Sequence, residues 1–320
     1  VSEHPRPGEI RSYLTFDGTV LDTMPTTVEV LAQEELSGIS TWKVKIRRAK
    51  FDVFVWLDGN GMTVKEESPL GINSVRVTAQ EALAGEDGYT VDVLRLFAVP
   101  VDTVISEPGR IRRVVLEVSG LDTTEFALNS ANQRVTGVLD SAVLVTVVVS
   151  EPVTGIRLPI QEEGEFLKPT VSVQSDAELI REKAKEIIGN TVDATEAARM
   201  IMRWVFGSLE KEAVASIPSA LDVLKSMKGD CNEHSVLYAA LCRAARIPAK
   251  VVVGLVYLDS AFYYHAWNEV YLKKWVPVDA TFGEFPANCL RLRLSEGELS
   301  QQAEVLSVVR RIKIRVREFN

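Results

Sequence analysis

The hydrophobic periodicity of this chain changes after Lys168-Pro169. Before that point apolar residues fall in short, β-branched or aromatic runs bounded by turn residues, the pattern of strands. Residues 12–16, 27–31 and 51–57 read this way, and Asp58-Gly59-Asn60-Gly61 after the third run is a hairpin signal. Further strands are expected at 111–118, 135–139 and 142–149, with one short helical turn near 80–84. Regularly spaced short strands predict a sandwich or a strongly curved sheet. After Pro169 the period lengthens. Ser175-Asp176-Ala177-Glu178 has the form of a capping box opening a helix to about residue 188. Helices follow over 194–209, 219–229 and 231–246, the last with Val236, Leu237, Ala240, Leu241 and Ala244 on one face. Strands then return at 250–258, 265–272, 275–279, 290–294 and 311–319. Helices first and antiparallel strands after define an α+β domain. The expected layout is a β-rich region over residues 1–170, with a division near Glu86-Asp87-Gly88, and an α+β domain over 171–320.

The 320 residues exceed what one small core needs, and 46% hydrophobic with 25% charged residues excludes a disordered chain. The longest apolar run, residues 142–149, is interrupted by Thr146 and is strand-length, far below the ~18 residues of a membrane helix. The sequence starts at Val1, so a signal or membrane anchor upstream stays open. A net charge of −8 makes the chain a poor nucleic-acid binder. Its one basic cluster, Arg310 to Arg317, alternates with apolar residues as an amphipathic strand does. The three cysteines, Cys231, Cys242 and Cys289, are too few and too odd in number for a disulfide framework.

One cysteine sits where chemistry is favoured. Gly229-Asp230-Cys231-Asn232-Glu233-His234-Ser235 places a thiol at the first turn of a helix, where free N–H groups and the helix dipole favour an anion. Such a thiol can be drawn below its ordinary ~8.5 toward the thiolate range. Cys242 and Cys289 read as packing residues. Only three histidines occur in the chain. One of them, His265, heads the strand that follows the cysteine helix, and Asp279 lies on the next strand. A thiol, an imidazole and a carboxylate are the components of a nucleophilic acyl-transfer site. Cys231 and His234 also form a Cys-x-x-His pair, but no second Cys or His pair follows it, so no metal site is assigned.

Three blocks, Gly229 to Ser235, His265-Ala266-Trp267-Asn268-Glu269-Val270-Tyr271 and Trp275-Val276-Pro277-Val278-Asp279-Ala280-Thr281, resemble those of bacterial transglutaminase-like domains with a papain-like fold. The resemblance covers about residues 175–285. It implies a papain-like transglutaminase core at the C-terminus, preceded by an all-β sandwich-like region. It further implies a Cys231–His265–Asp279 triad that acts on amide or isopeptide bonds of a protein or peptide, without cofactor. Export to the periplasm or cell envelope of a bacterium is implied in the same way. The acyl group would pass to an amine or to water. A transglutaminase-like scaffold that has lost activity is the alternative, and the presence of all three chemically unrelated residues argues against it.

Two positions depart from the family pattern. Ala280 stands where a proline is usual, and Asn232 stands where animal transglutaminases have tryptophan; no calcium-loop signature is present. Calcium-dependent crosslinking is therefore not expected. Asn232, Glu233, Tyr263 and Tyr264 are expected to line the cleft, the two tyrosines from a loop, and Trp204 is the candidate side-chain donor to an oxyanion. Strand parity adds a constraint. A plain two-residue turn at Lys273-Lys274 would set Asp279 opposite Asn268, on the face away from His265. Bringing the two together demands a bulge or a three-residue loop.

Overall fold

In the computed structural model, which describes residues 5–17, 22–48, 51–67, 73–84, 98–212, 219–297, 305–306 and 308–320, the first six strands pair in the order in which they leave the chain. They are β1 (Ile10–Asp17), β2 (Asp22–Leu36), β3 (Ile39–Arg48), β4 (Phe51–Leu57), β5 (Thr63–Glu67) and β6 (Asn73–Val75), every neighbour antiparallel. Successive hairpins thus build one six-stranded meander, a single sheet and not the two of a sandwich, which was one of the two expected arrangements. Its core is a small cluster of Val30, Val44 and Val55. The β4–β5 turn forms where the Asp-Gly-Asn-Gly signal placed it: the Asp58 carboxylate accepts from the Asn60 and Met62 N–H groups at 2.9 and 3.0 Å. Strand β3 was not among the expected strands, although Trp42, Val44 and Ile46 alternate with Lys43, Lys45 and Arg47, the period-2 pattern of a half-buried strand. The short helix α1 (Ala79–Ala84) follows β6. Glu86 to Gly88, where a division was expected, lies outside the described residues.

The chain separates into two units at Asp92–Val93, so residues 98–170 belong to the unit that holds the helices and not to the six-stranded meander. The reason lies in specific bonds. Strand β7 (Val99–Pro100) pairs with the start of β14 (Ala261–Tyr271). Strands β8 (Arg113–Ser119), β9 (Gln133–Val138) and β10 (Ala142–Val148) form a sheet whose Gln133 side chain bonds both the N–H and the carbonyl of Arg293, at 2.8 and 2.9 Å. The amphipathic C-terminal strand β17 (Lys313–Phe319) completes that sheet at the edge of β8, with Ile312 and Ile314 buried.

Four longer helices follow: α2 (Glu178–Ile188), α3 (Ala194–Ser208), α4 (Ala220–Ser226) and α5 (Cys231–Ala244). Helix α2 starts later than its apparent capping box. Its N-cap is Ala177 and no side chain caps it, because tight backbone turns at Ser175 and Ala177 occupy that stretch. Helix α3 is capped by Asp193, which accepts from the Glu196 N–H at 2.8 Å. Between α3 and α5 a two-residue parallel pair joins β11 (Glu210–Lys211) to β12 (Lys228–Gly229). Helix α5 is the core element, buried from Val236 through Cys242 between the other helices and a sheet. That sheet runs β15 (Trp275–Val278), β14, β13 (Ala249–Leu258) and β16 (Arg291–Glu296), all antiparallel. Gly254 on β13 faces His265 and has no room for a side chain: an added Cβ would lie 2.1 Å from the Leu292 carbonyl oxygen.

Candidate active site

The cysteine end of the site is built by the start of α5. Gly229 lacks a side chain because Glu233 fills that space; a Cβ there would lie 2.1 Å from the Glu233 Cβ. Asp230 is the N-cap and accepts from the Asn232 N–H at 2.8 Å, while the Glu233 carboxylate accepts from the Asp230 N–H at 3.0 Å. This reciprocal box was legible as Asp-x-x-Glu before an apolar run, yet the sequence reading spent its capping argument on Ser175. The Ser235 hydroxyl donates to the Cys231 carbonyl at 2.7 Å, and the His234 ring bonds the Asp230 carbonyl through Nδ1 at 2.7 Å. Cys231 is therefore held on a rigid first turn. As the first helical residue its N–H has no acceptor within the helix, and its sulfur accepts from the Ala266 N–H of β14.

Burial is the leading influence on the thiol. It raises the Cys231 pKa, and the neighbouring Asp230, Asp279 and Glu233 carboxylates raise it further against the lowering bond from Ala266. These influences act against the lowering expected from the helix terminus. All three cysteines are free and buried. Burial also pushes Cys242 up to about 12 and Cys289 up to about 11.

His265 and Asp279 meet. The ring Nε2 lies 2.7 Å from Asp279 Oδ2, with both side chains buried. The register explains how. Tyr271 pairs with Trp275, which leaves Leu272-Lys273-Lys274 as a three-residue loop with Lys273 at φ 62°. This is one of the two geometries that strand parity demanded. Continuing that register sets Asp279 opposite Trp267 and diagonal to His265 on the same face. Phe282 stacks on the imidazole with centroids 4.8 Å apart, and Trp267 lies parallel to it at 6.2 Å.

Asp279 has more partners than the sequence suggested. Its Oδ1 accepts from the Thr281 and Phe282 N–H groups, each at 3.0 Å. Its Oδ2 also receives Arg291, at 2.7 Å from Nη2 and 3.2 Å from Nε. Arg291 reaches on to Glu284 at 2.9 Å. Burial alone would raise the Asp279 carboxyl, but the His265 ring and the Arg291 guanidinium more than reverse this and hold it well below the usual carboxylate range. Arg291 carries no motif that marks it, since residues 290–294 read as a packed strand. The available signal was an arginine alternating with leucines, since a buried guanidinium demands a partner.

The other expected cleft residues divide. Asn232 accepts from the Tyr264 hydroxyl at 3.1 Å, so these two do meet beside Cys231. Tyr263 and Tyr264 are strand residues of β14, not loop residues, because the β13–β14 hairpin extends to Ala261. Glu233 does not line a cleft: it is 3% exposed and serves the helix cap. Trp204 lies elsewhere, in a groove with Leu179, Leu224 and Met227 and with Lys183 over its ring at 5.5 Å. That groove contains none of Cys231, His265 and Asp279. Among the described residues no cluster of His, Cys, Asp and Glu could hold a metal ion.

Burial and the adjacent Asp230 carboxylate raise Glu233 to about 8. Between the ordinary glutamate value of ~4.3 and about 8, the folded state holds a proton that the unfolded state has lost. Stability must therefore fall as pH rises through that window. Glu233→Gln keeps an acceptor for the Asp230 N–H and removes the titration. We expect it to flatten the pH dependence of unfolding between pH 5 and about 8, read by denaturant titration at several pH values.

Residues 181–280 match the model of the transglutaminase-like superfamily, a segment that contains Cys231, His265 and Asp279. These residues form a transglutaminase-like domain. An uncharacterized protein of Haemophilus influenzae is 25% identical over an alignment covering 46% of each chain, so the present chain spans less than half of that relative. Among solved structures, a provisionally assigned cysteine protease from Cytophaga hutchinsonii is 18% identical, over 66% of this chain and 86% of its own, with a TM-score of 0.43. The periplasmic domain of TgpA from Pseudomonas aeruginosa is 14% identical, over 58% of this chain and 92% of its own, with a TM-score of 0.33. No helix among the described residues is long and apolar enough to cross a membrane.

Proposed function

We propose that the chain is a cysteine-dependent enzyme of amide or isopeptide bonds, with Cys231 as nucleophile, His265 as proton carrier and Asp279 as the group that orients it. The observation that carries this reading is the 2.7 Å bond from Asp279 to His265 Nε2, beside a Cys231 sulfur held against the backbone of Ala266. The bond fixes the proton on Nε2 and leaves Nδ1 as the basic nitrogen. Cys231 gives its proton to Nδ1 as sulfur attacks the carboxamide carbon. The Cys231 N–H, without an acceptor in its helix, is aimed to stabilise the oxyanion. The imidazolium then protonates the departing amine, leaving a thioester on Cys231. Water or a second amine attacks the thioester, His265 takes up the proton, and the thiol is restored. The substrate is a protein or peptide, and its place is the bacterial periplasm or cell envelope that the resemblance implies.

Because the surroundings of Cys231 oppose a free thiolate, its reactivity must come through His265. We expect iodoacetamide to label Cys231 at pH 6–7, below the ~8.5 of a model thiol, and His265→Ala to remove that labelling. Peptide mapping identifies the modified cysteine. Labelling no faster than a model thiol, or unaffected by His265→Ala, would defeat the reading and favour an inactive scaffold.

A further inference from the structure

We propose that the cavity beside the candidate active site recognises a carboxylate carried by the substrate. This inference rests on the reading of Cys231, His265 and Asp279 as an amide-cleaving site and names the substrate class it takes.

The cavity, of about 320 Å³, is lined by Arg199, Met202, Arg203, Phe206, Gly283 and Phe285. Among the described residues that line it, two carry guanidinium groups and none a carboxylate, on a chain whose net charge is −8. Arg199 is fixed in place: it stacks over the Phe285 ring at 5.1 Å and pairs with Glu196 at 2.8 Å. Arg203, one turn along the same helix, is exposed and makes no ion pair among the described residues. Lys211 adds a third cation, 4.4 Å from the Phe206 ring centroid. The loop's own acid, Glu284, is turned toward Arg291 and Asn288 and so does not neutralise the cavity.

One short loop joins the lining of the cavity to the site. Asp279 and Glu284 exchange backbone hydrogen bonds at 3.0 and 2.9 Å, which closes residues 279–284 into a tight turn. Phe282 in that turn stacks on His265, and the next residue, Gly283, lines the cavity. Gly283 is at φ 71°, and the Phe206 ring packs 3.1 Å from where its Cβ would be. The link from the imidazole to the cavity thus runs through two consecutive residues, Phe282 and Gly283, and it is along this loop that we place the residues flanking a substrate amide. Two guanidinium groups, one of them over an aromatic ring, suit a carboxylate, which guanidinium binds by paired, charge-assisted hydrogen bonds. The acid is either an Asp or Glu side chain or a C-terminal carboxylate.

The test uses the full chain and three reactive peptides that label Cys231: N-iodoacetyl-Gly-Gly-Glu-amide, N-iodoacetyl-Gly-Gly-Gln-amide and N-iodoacetyl-Gly-Gly-Gln with a free C-terminus. We expect one of the two acidic peptides to label about tenfold faster than the neutral one, as a charge-assisted hydrogen bond provides. Which of them does so identifies the source of the carboxylate. In Arg203→Gln, and in Arg199→Gln/Arg203→Gln, the ratio of acidic to neutral rates should fall to about one. A ratio near one in the wild type, with Cys231 still labelled, overturns the carboxylate site and leaves the cysteine assignment standing. Should Cys231 react with none of them, the catalytic reading fails, and calorimetric titration of Cys231→Ala with acetyl-Gly-Gly-Glu-amide and acetyl-Gly-Gly-Gln then decides the cavity separately. Binding of either one that is lost in Cys231→Ala/Arg203→Gln upholds the site; no binding of either rejects it.

Discussion

Cys231→Ala is expected to bring turnover of any amide substrate down to background, a loss on the order of 10⁴–10⁶-fold, while the protein stays folded. The loss follows from removing the only atom that can form the acyl intermediate. The fold is spared because the first turn of α5 does not depend on the sulfur: Asp230 and Glu233 close the capping box, and Ser235 holds the Cys231 carbonyl. The thiol is a small buried group outside the capping bonds, so its removal should cost no more than about 1 kcal/mol. Steady-state kinetics and a denaturant titration on the same preparation read both halves. Full activity in the variant would remove Cys231 as nucleophile. Lost activity with lost folding would make the kinetic result uninformative, and Cys231→Ser is the substitute in that event.

Asp279→Asn should be the second large effect, and it should differ in kind because it harms rate and stability together. The rate should fall by about 10⁴ because an amide no longer enforces the tautomer that leaves His265 Nδ1 basic. Stability should fall by about 3–5 kcal/mol, since Arg291 is buried and loses its principal counter-charge. The pH dependence identifies the cause. Asp279 titrates below the usual carboxylate range, so its stabilisation is complete above the unfolded value of ~3.9 and is lost as pH falls below it. The stability gap between wild type and Asp279→Asn should therefore be widest near neutrality and narrow in acid. Adding Arg291→Gln to Asp279→Asn should recover part of the stability and none of the rate. A double-mutant cycle showing no coupling between the two positions would refute the clamp.

Much of the candidate site was readable in one dimension because the groups that do chemistry are rare residue types at fixed places on local elements. A cysteine directly after Asp230, ahead of an apolar helix, and a histidine in a strand rich in aromatic residues stand out without any structure. Even the need for a bulge or a three-residue loop between β14 and β15 could be deduced, since side-chain parity along strands is a local rule. What stayed hidden depends on contacts distant in sequence. Arg291 arrives from β16, on the far side of β13 from the strand that holds His265. Gln133 draws β9 into the helical unit through two bonds to Arg293, moving the division of the chain from residue 170 to Asp92. Trp204 faces a groove of helices and not the cysteine, which its neighbours in sequence could not reveal.

The sequence by itself determined the strand-to-helix change at Pro169, the helix that begins at Cys231, and the parity requirement between His265 and Asp279, because each follows from local periodicity and backbone geometry. The tertiary structure alone decided the protonation of the site. Burial raises the Cys231 thiol, Arg291 holds Asp279 ionised, and Phe282 covers the imidazole. Desolvation and the distances between charges exist only once the chain has folded around them.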